Sequence, residues 1–128
     1  NALGILYARY GMYREALAEF QAAAALGEKR AEINIGNVAF LTGDYKTAAL
    51  WYEKAMRELP DRVEPVVGLA RAYYELDRYD DADRLFRRAV EMMPDLAVRY
   101  GYLSARLPGD SARASAAEAR LGNVMWDE

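Results

Sequence analysis

The chain contains neither cysteine nor histidine. Those two absences remove disulfides, thiolate nucleophiles, imidazole acid-base chemistry and most zinc sites together. Any catalysis would have to run on carboxylates, lysine or tyrosine, and no phosphate-binding glycine loop is present to suggest it. Neither an enzyme nor a cofactor is expected. Without thiols the redox compartment is unreadable, because such a chain suits reducing and oxidising surroundings equally. Long apolar runs are also missing. The longest uncharged, apolar-looking stretch, Ile33 to Gly43, is about half of what a bilayer-spanning helix requires and is broken by Asn34 and Asn37. Nor does one sign of charge dominate: 17 basic and 20 acidic residues leave a net charge of -3, and they are interspersed, so no basic stripe exists to neutralise phosphates. Membrane insertion and nucleic-acid binding are therefore not expected. The chain opens inside a helical pattern, with no starting Met and no signal sequence at Asn1. It reads as a piece of something longer, with cytoplasmic and periplasmic locations both compatible.

What the sequence does contain is repetition. Gly36/Ala70, Tyr45/Tyr79, Ala48/Ala82, Tyr52/Phe86, Ala55/Ala89 and Pro60/Pro94 are each separated by 34 positions. One unit further back the set recurs at 32 positions, as Gly4, Gly11, Tyr13, Ala16, Phe20 and Ala23. A period in this range marks a stacked-repeat protein. The 128 residues, 53% hydrophobic and 29% charged, are enough for one soluble domain with a core.

Each period holds two helix-period segments and a short turn. Gly11, Gly43 and Asp77 sit where a left-handed residue would close the first helix. Pro60 and Pro94 end the second, since proline lacks the amide hydrogen needed to continue. Helices are expected at about 1–10, 13–26, 29–41, 45–58, 63–76, 79–92, 96–107 and 111–121. The expected class is all-α, an α-solenoid of about eight helices in stacked antiparallel hairpins.

These residues, in this order, resemble the tetratricopeptide repeat family. One unit carries Gly36, Gly43, Tyr45, Ala48, Tyr52, Ala55 and Pro60; the next carries Leu69, Ala70, Tyr73, Tyr79, Ala82, Phe86, Ala89 and Pro94. Leu3, Gly4, Tyr7, Gly11, Tyr13, Ala16, Phe20 and Ala23 form an N-terminally truncated earlier unit. Small residues let helices approach closely, and aromatics fill the space between them. The resulting division of the single domain is 1–28 (truncated repeat), 29–62 and 63–96 (repeats), 97–122 (degenerate capping repeat) and 123–128 (tail). In the cap, Ser111, Arg113, Ser115, Glu118 and Arg120 supply a wettable face. Gly122 ends it, and the following Val124-Met125-Trp126-Asp127-Glu128 could either fold back against the body or protrude.

Two clusters invite a chemical reading and have a plainer one. The run Asp80, Asp81, Asp83 has Arg84, Arg87 and Arg88 one turn away, which favours exposed i,i+4 pairs (Asp80 with Arg84, Asp83 with Arg87) over a metal site. Most of the ten tyrosines fall on the repeat's packing positions; Tyr10, Tyr74 and Tyr102 do not, and are candidate ligand contacts.

Stacked hairpins make a curved wall whose first helices line a hollow. Helical spacing places Arg30, Ile33, Asn34, Asn37, Phe40, Glu64, Val67, Arg71, Tyr74 and Tyr102 on that inner face, an apolar floor with a few polar groups suited to an extended or helical peptide. The amides of Asn34 and Asn37, three apart on one helix, can donate to and accept from a peptide backbone. Some members of the family hold chaperone tails through a clamp of Lys, Asn, Asn, Lys and Arg on three successive first helices. The corresponding places here read Asn1, Ile5, Asn34, Glu64 and Gly68, or, one unit along, Ile33, Asn37, Gly68, Val98 and Tyr102. Each frame matches once, so that ligand is not expected. The resemblance implies a non-catalytic module that binds a protein, as a peptide or a helix, in the groove. The alternative is a structural spacer or self-association segment of a longer array, with homo-oligomers forming through exposed terminal faces.

Overall fold

The computed structural model describes residues 1–104 and 124–127. Its described part is all-helical: α1 (Ala2–Arg9), α2 (Tyr13–Ala25), α3 (Arg30–Leu41), α4 (Tyr45–Glu58), α5 (Glu64–Glu75), α6 (Tyr79–Met92) and α7 (Leu96–Tyr100), followed by a 3-10 turn, Gly101–Ser104. Each helix packs on the next in sequence, and α3 also touches α5, so the hairpins stack in succession as a helical solenoid.

Turn chemistry explains the breaks. Gly43 (φ 84°) and Asp77 (φ 62°) both adopt the left-handed conformation, which lets the chain reverse directly after α3 and α5. Asp44 then caps α4, its side chain accepting from the Thr47 amide at 3.2 Å. Pro60 and Pro94 each lie two residues beyond a helix end. The seventh helix is shorter than the expected 96–107. It tightens into a 3-10 turn at Gly101, a residue of low helix propensity with open space around its Cα. The expected helix 111–121 and the capping residues lie outside the described residues.

Glycines and aromatics interlock at two places. A Cβ on Gly4 would stand 2.6 Å from the Phe20 ring, one on Gly36 2.8 Å from the Tyr52 ring, and one on Gly68 2.6 Å from the same ring. Tyr52 therefore projects from α4 as a wedge between two inner helices, α3 and α5. The repeat alanines Ala48, Ala55, Ala70, Ala82 and Ala89 have no exposed surface, consistent with close helix approach. Two apolar clusters result. One, around Tyr52, Leu69, Tyr73, Phe86, Tyr100 and Leu103, joins the last hairpins; the other, around Ile5, Ala8, Ala16, Phe20, Ile35 and Val38, joins the first.

The acidic run was expected to be a solvated face, but only Asp80 is exposed; Asp81 is partly covered and Asp83 is buried, and one partner differs from the expected pairing. Asp83 pairs with Arg87 at 3.2 Å, whereas Arg84 turns to Asp81, which also takes Arg78 at 2.8 Å. Among the described residues no group of three or more His, Cys, Asp and Glu could hold a metal ion, and no helix is long and apolar enough to cross a membrane.

Candidate functional site

The inner face of the solenoid is built mainly from α3 and α5, each buried over ten consecutive residues, Ala31 to Phe40 and Pro65 to Tyr74. An open groove would leave one face of each helix wet. It does not here, because the chain's own segment Val124 to Asp127 lies against that face. The segment is not helical and carries no strand pairing. Its side chains seal the wall. Val124 and Met125 meet Asn37, Phe40, Glu64, Val67, Gly68 and Arg71, while Trp126 stacks on Phe20 with ring centroids 5.9 Å apart and touches both apolar clusters. Burying a valine is worth about 1.5 kcal/mol or more, and an aromatic pair about 0.5–1.5 kcal/mol beyond its area.

Polar groups of the wall meet the segment's main chain. Asn34 forms a closed pair with Asp127: its Nδ2 donates to the Asp127 carbonyl at 2.9 Å, and its Oδ1 accepts from the Asp127 amide at 2.9 Å. Asn34 is fully buried and also donates to Asn1 Oδ1 at 2.7 Å; Asn1 in turn donates to the Asp127 carbonyl at 2.8 Å. One turn further on, Asn37 Nδ2 donates to the Met125 carbonyl at 3.0 Å. The Tyr52 hydroxyl, 2.6 Å away, donates to Asn37 Oδ1 and so fixes which end of that amide faces the segment. Tyr52 thus positions Asn37 while wedging the helices apart. Burial pushes its phenol well above the ordinary value, so the hydroxyl remains a donor across the physiological range.

Charge is concentrated at the Asp127 end. Arg62 Nε lies 3.4 Å from Asp127 Oδ2. Burial first, and then the Asp127 carboxylate, push the Glu64 carboxyl up from its usual range, while Arg62 acts in the opposite sense. Arg71 is buried between the rings of Phe40 (4.6 Å) and Tyr100 (5.1 Å).

Of the ten residues expected to line the groove, Asn34, Asn37, Phe40, Glu64, Val67 and Arg71 are brought together around the segment. Ile33 is fully buried on α3. Arg30 lies at the start of α3, paired with Glu28 at 3.2 Å. Tyr74 and Tyr102 are buried and packed edge to face on one another at 4.9 Å, with the Tyr102 phenol pushed up to about 12, chiefly by burial. They are closed core contacts, not the open aromatic surface that the sequence suggested. Tyr10, the third candidate, is largely exposed.

Sequence reasoning placed Gly68 on the inner face but missed Tyr52 and Asn1 as parts of this site. Tyr52 could not be found by pattern. Its packing role was legible, but its hydroxyl reaches the groove only because both flanking residues are glycine.

A solenoid of helix hairpins with a polar-dotted inner wall defines the class: a helical-repeat scaffold. A Tetratricopeptide repeat family model matches residues 39–107, over half of the chain, and the chain belongs to that family. A comparison with curated proteins returns no match.

Proposed function

We propose that the chain is a non-catalytic protein-interaction module whose groove holds a segment of a partner protein in extended form. Tetratricopeptide repeats are typically interaction scaffolds without catalytic activity, and membership of the family carries the general part of this reading. The finer part rests on a single observation: the amides of Asn34 and Asn37 engage main-chain groups of a non-helical segment. Such contacts are independent of the guest's side chains. A helical guest fits them poorly, because its amides and carbonyls are already used internally. Asn34 and Asn37 are about 4.5 Å apart along the axis of α3, not far from the roughly 6.6 Å between alternate residues of an extended chain.

A random-peptide display selection on the full-length chain carrying Trp126→Ser and Asp127→Asn, chosen to weaken the hold of its own segment on the groove, tests the proposal. Enriched peptides should bind that chain at least tenfold more weakly once Asn34→Leu or Asn37→Leu is added, the loss of one or two main-chain contacts. Failure to enrich any peptide, or equal binding with and without the asparagine substitutions, would remove the groove from consideration.

A second reading, a spacer or self-association segment in a longer array, is favoured by a separate observation. Leu3, Leu6 and Tyr10 expose 45%, 50% and 78% of their surface along α1 and just beyond it. A preceding hairpin or a second copy would cover them. In this reading the units are 1–28, 29–62, 63–96 and 97–122, with a tail at 123–128. Upstream repeats would then raise the melting temperature, and Leu3→Glu would abolish that gain.

A further inference from the structure

From the contacts of residues 124–127 we infer both what the groove selects and how access to it is controlled; this rests on the interaction-module reading above. The resident segment is an internal competitor, and the partner it mimics is an extended protein segment of the pattern apolar, any, aromatic, acidic.

Each part of the pattern follows from one contact. Val124 is buried against a floor that includes Phe40, Val67 and Gly68, where a polar side chain would lose its water. Met125 contributes its carbonyl, taken by Asn37, while its side chain stays partly exposed, so this position tolerates variety. Trp126 lies on Phe20 and bridges the two apolar clusters, a place only a flat, large side chain fills. Asp127 is read twice. Asn34 holds its main chain, and Arg62 faces its carboxylate. A neutral residue there would leave Arg62 facing Glu64 alone, while a basic one would oppose it.

Competition follows from connectivity. A segment carried on the same chain presents itself at an effective concentration on the order of millimolar, without limit of supply. A free peptide of equal intrinsic affinity therefore cannot displace it at micromolar levels. Only a partner that makes further contacts, or an event that weakens the resident segment, opens the groove.

The test uses a fluorescein-labelled peptide carrying Val-Met-Trp-Asp between Gly-Ser flanks, blocked at both ends, and fluorescence polarisation against the full chain. The receptor variant is Trp126→Ser with Asp127→Asn, which removes the resident's two side-chain anchors outside the hairpins. That variant is expected to bind the peptide at least tenfold more tightly than wild type. Adding Asn37→Ala to it should abolish the gain, as should replacing Trp and Asp of the peptide by serine. Equal binding to wild type and the variant overturns the competition, and no binding by a folded variant overturns the recognised pattern. A wild-type dimer by light scattering that the tail substitutions dissolve also overturns the intramolecular arrangement, by assigning the segment to a second copy. If the double variant does not fold by circular dichroism, a groove-side change with the tail intact decides instead. Asn34→Asp in a Trp51→Phe background should raise acrylamide quenching of Trp126, and unchanged quenching refutes docking. Display peptides that depend on Asn34 and Asn37 but bear an unrelated pattern would end this inference while leaving the interaction module standing.

Discussion

The inner and outer helices of this solenoid follow different rules. The outer α4 fully buries only Ala48, Ala49, Tyr52 and Ala55, a single stripe, and leaves the rest partly or fully exposed. The inner α3 and α5 are buried on all sides over ten residues each. A stripe specifies one packing face, whereas burial all round requires a cover, and here Val124–Asp127, from far along the chain, contribute to it alongside the 3-10 turn. Inner helices of such a scaffold are thus complete only when something occupies the hollow.

The sharpest way to break the contrast is at Gly68. On an outer helix face, glycine to leucine would be tolerated, but here any Cβ meets the Tyr52 ring at 2.6 Å. Gly68→Leu is expected to destabilise by about 2–3 kcal/mol, the upper end for overpacking, even after the gain in helix propensity. Thermal unfolding should show this as a fall of several degrees; an unchanged midpoint would mean that Tyr52 does not occupy the wedge. Next in size is Tyr52→Phe. It keeps the wedge and removes the hydroxyl that orients Asn37. A loss of about 1–2 kcal/mol follows from a buried acceptor left without its donor. Peptide binding by the tail-substituted receptor should weaken as well, which a purely packing role would not cause.

Much of this was legible in the sequence because it depended on local rules. The 34-residue interval, the left-handed turn residues and the stop prolines located the six hairpin helices to within a residue or two. Asn34 and Asn37 could be singled out because two amides three apart on one helix face can donate to and accept from a peptide backbone. What met them was not legible. The sequence left the tail free to fold back or protrude, since docking depends on contacts between residues some ninety positions apart, such as Asn34 with Asp127, and no periodicity records those. The same absence explains Tyr74 and Tyr102. Judged from one helix, each faced the hollow; in three dimensions they face each other.

A smaller effect sharpens the comparison at the rim. Glu64 is raised by burial and by the Asp127 carboxylate, against its own backbone hydrogen bond and Arg62. A carboxyl raised on docking binds its proton more firmly in the docked state, so docking is strongest below the ordinary carboxylate value and weakens as pH rises through the raised one. Lowering pH from neutral should therefore tighten the segment. Glu64→Gln should hold the segment more firmly at neutral pH and flatten that response. Acrylamide quenching of Trp126 in a Trp51→Phe background reads both, and a response unchanged by Glu64→Gln would assign the pH dependence elsewhere.

Least should happen on the outer face. Leu50 lies on α4 with 68% of its surface exposed, so only about a third of its apolar area leaves water on folding. Full burial of a leucine is worth about 1.5–3 kcal/mol, and a third of that, partly kept by the glutamine stem, leaves a change within about 0.5 kcal/mol for Leu50→Gln. Both residues form helix well, so propensity adds little. Chemical denaturation should place the variant within that margin of wild type. A loss of 2 kcal/mol or more would mean that the outer wall, like the inner one, is covered, and since the described chain leaves Leu50 to solvent, the cover would have to be a second molecule.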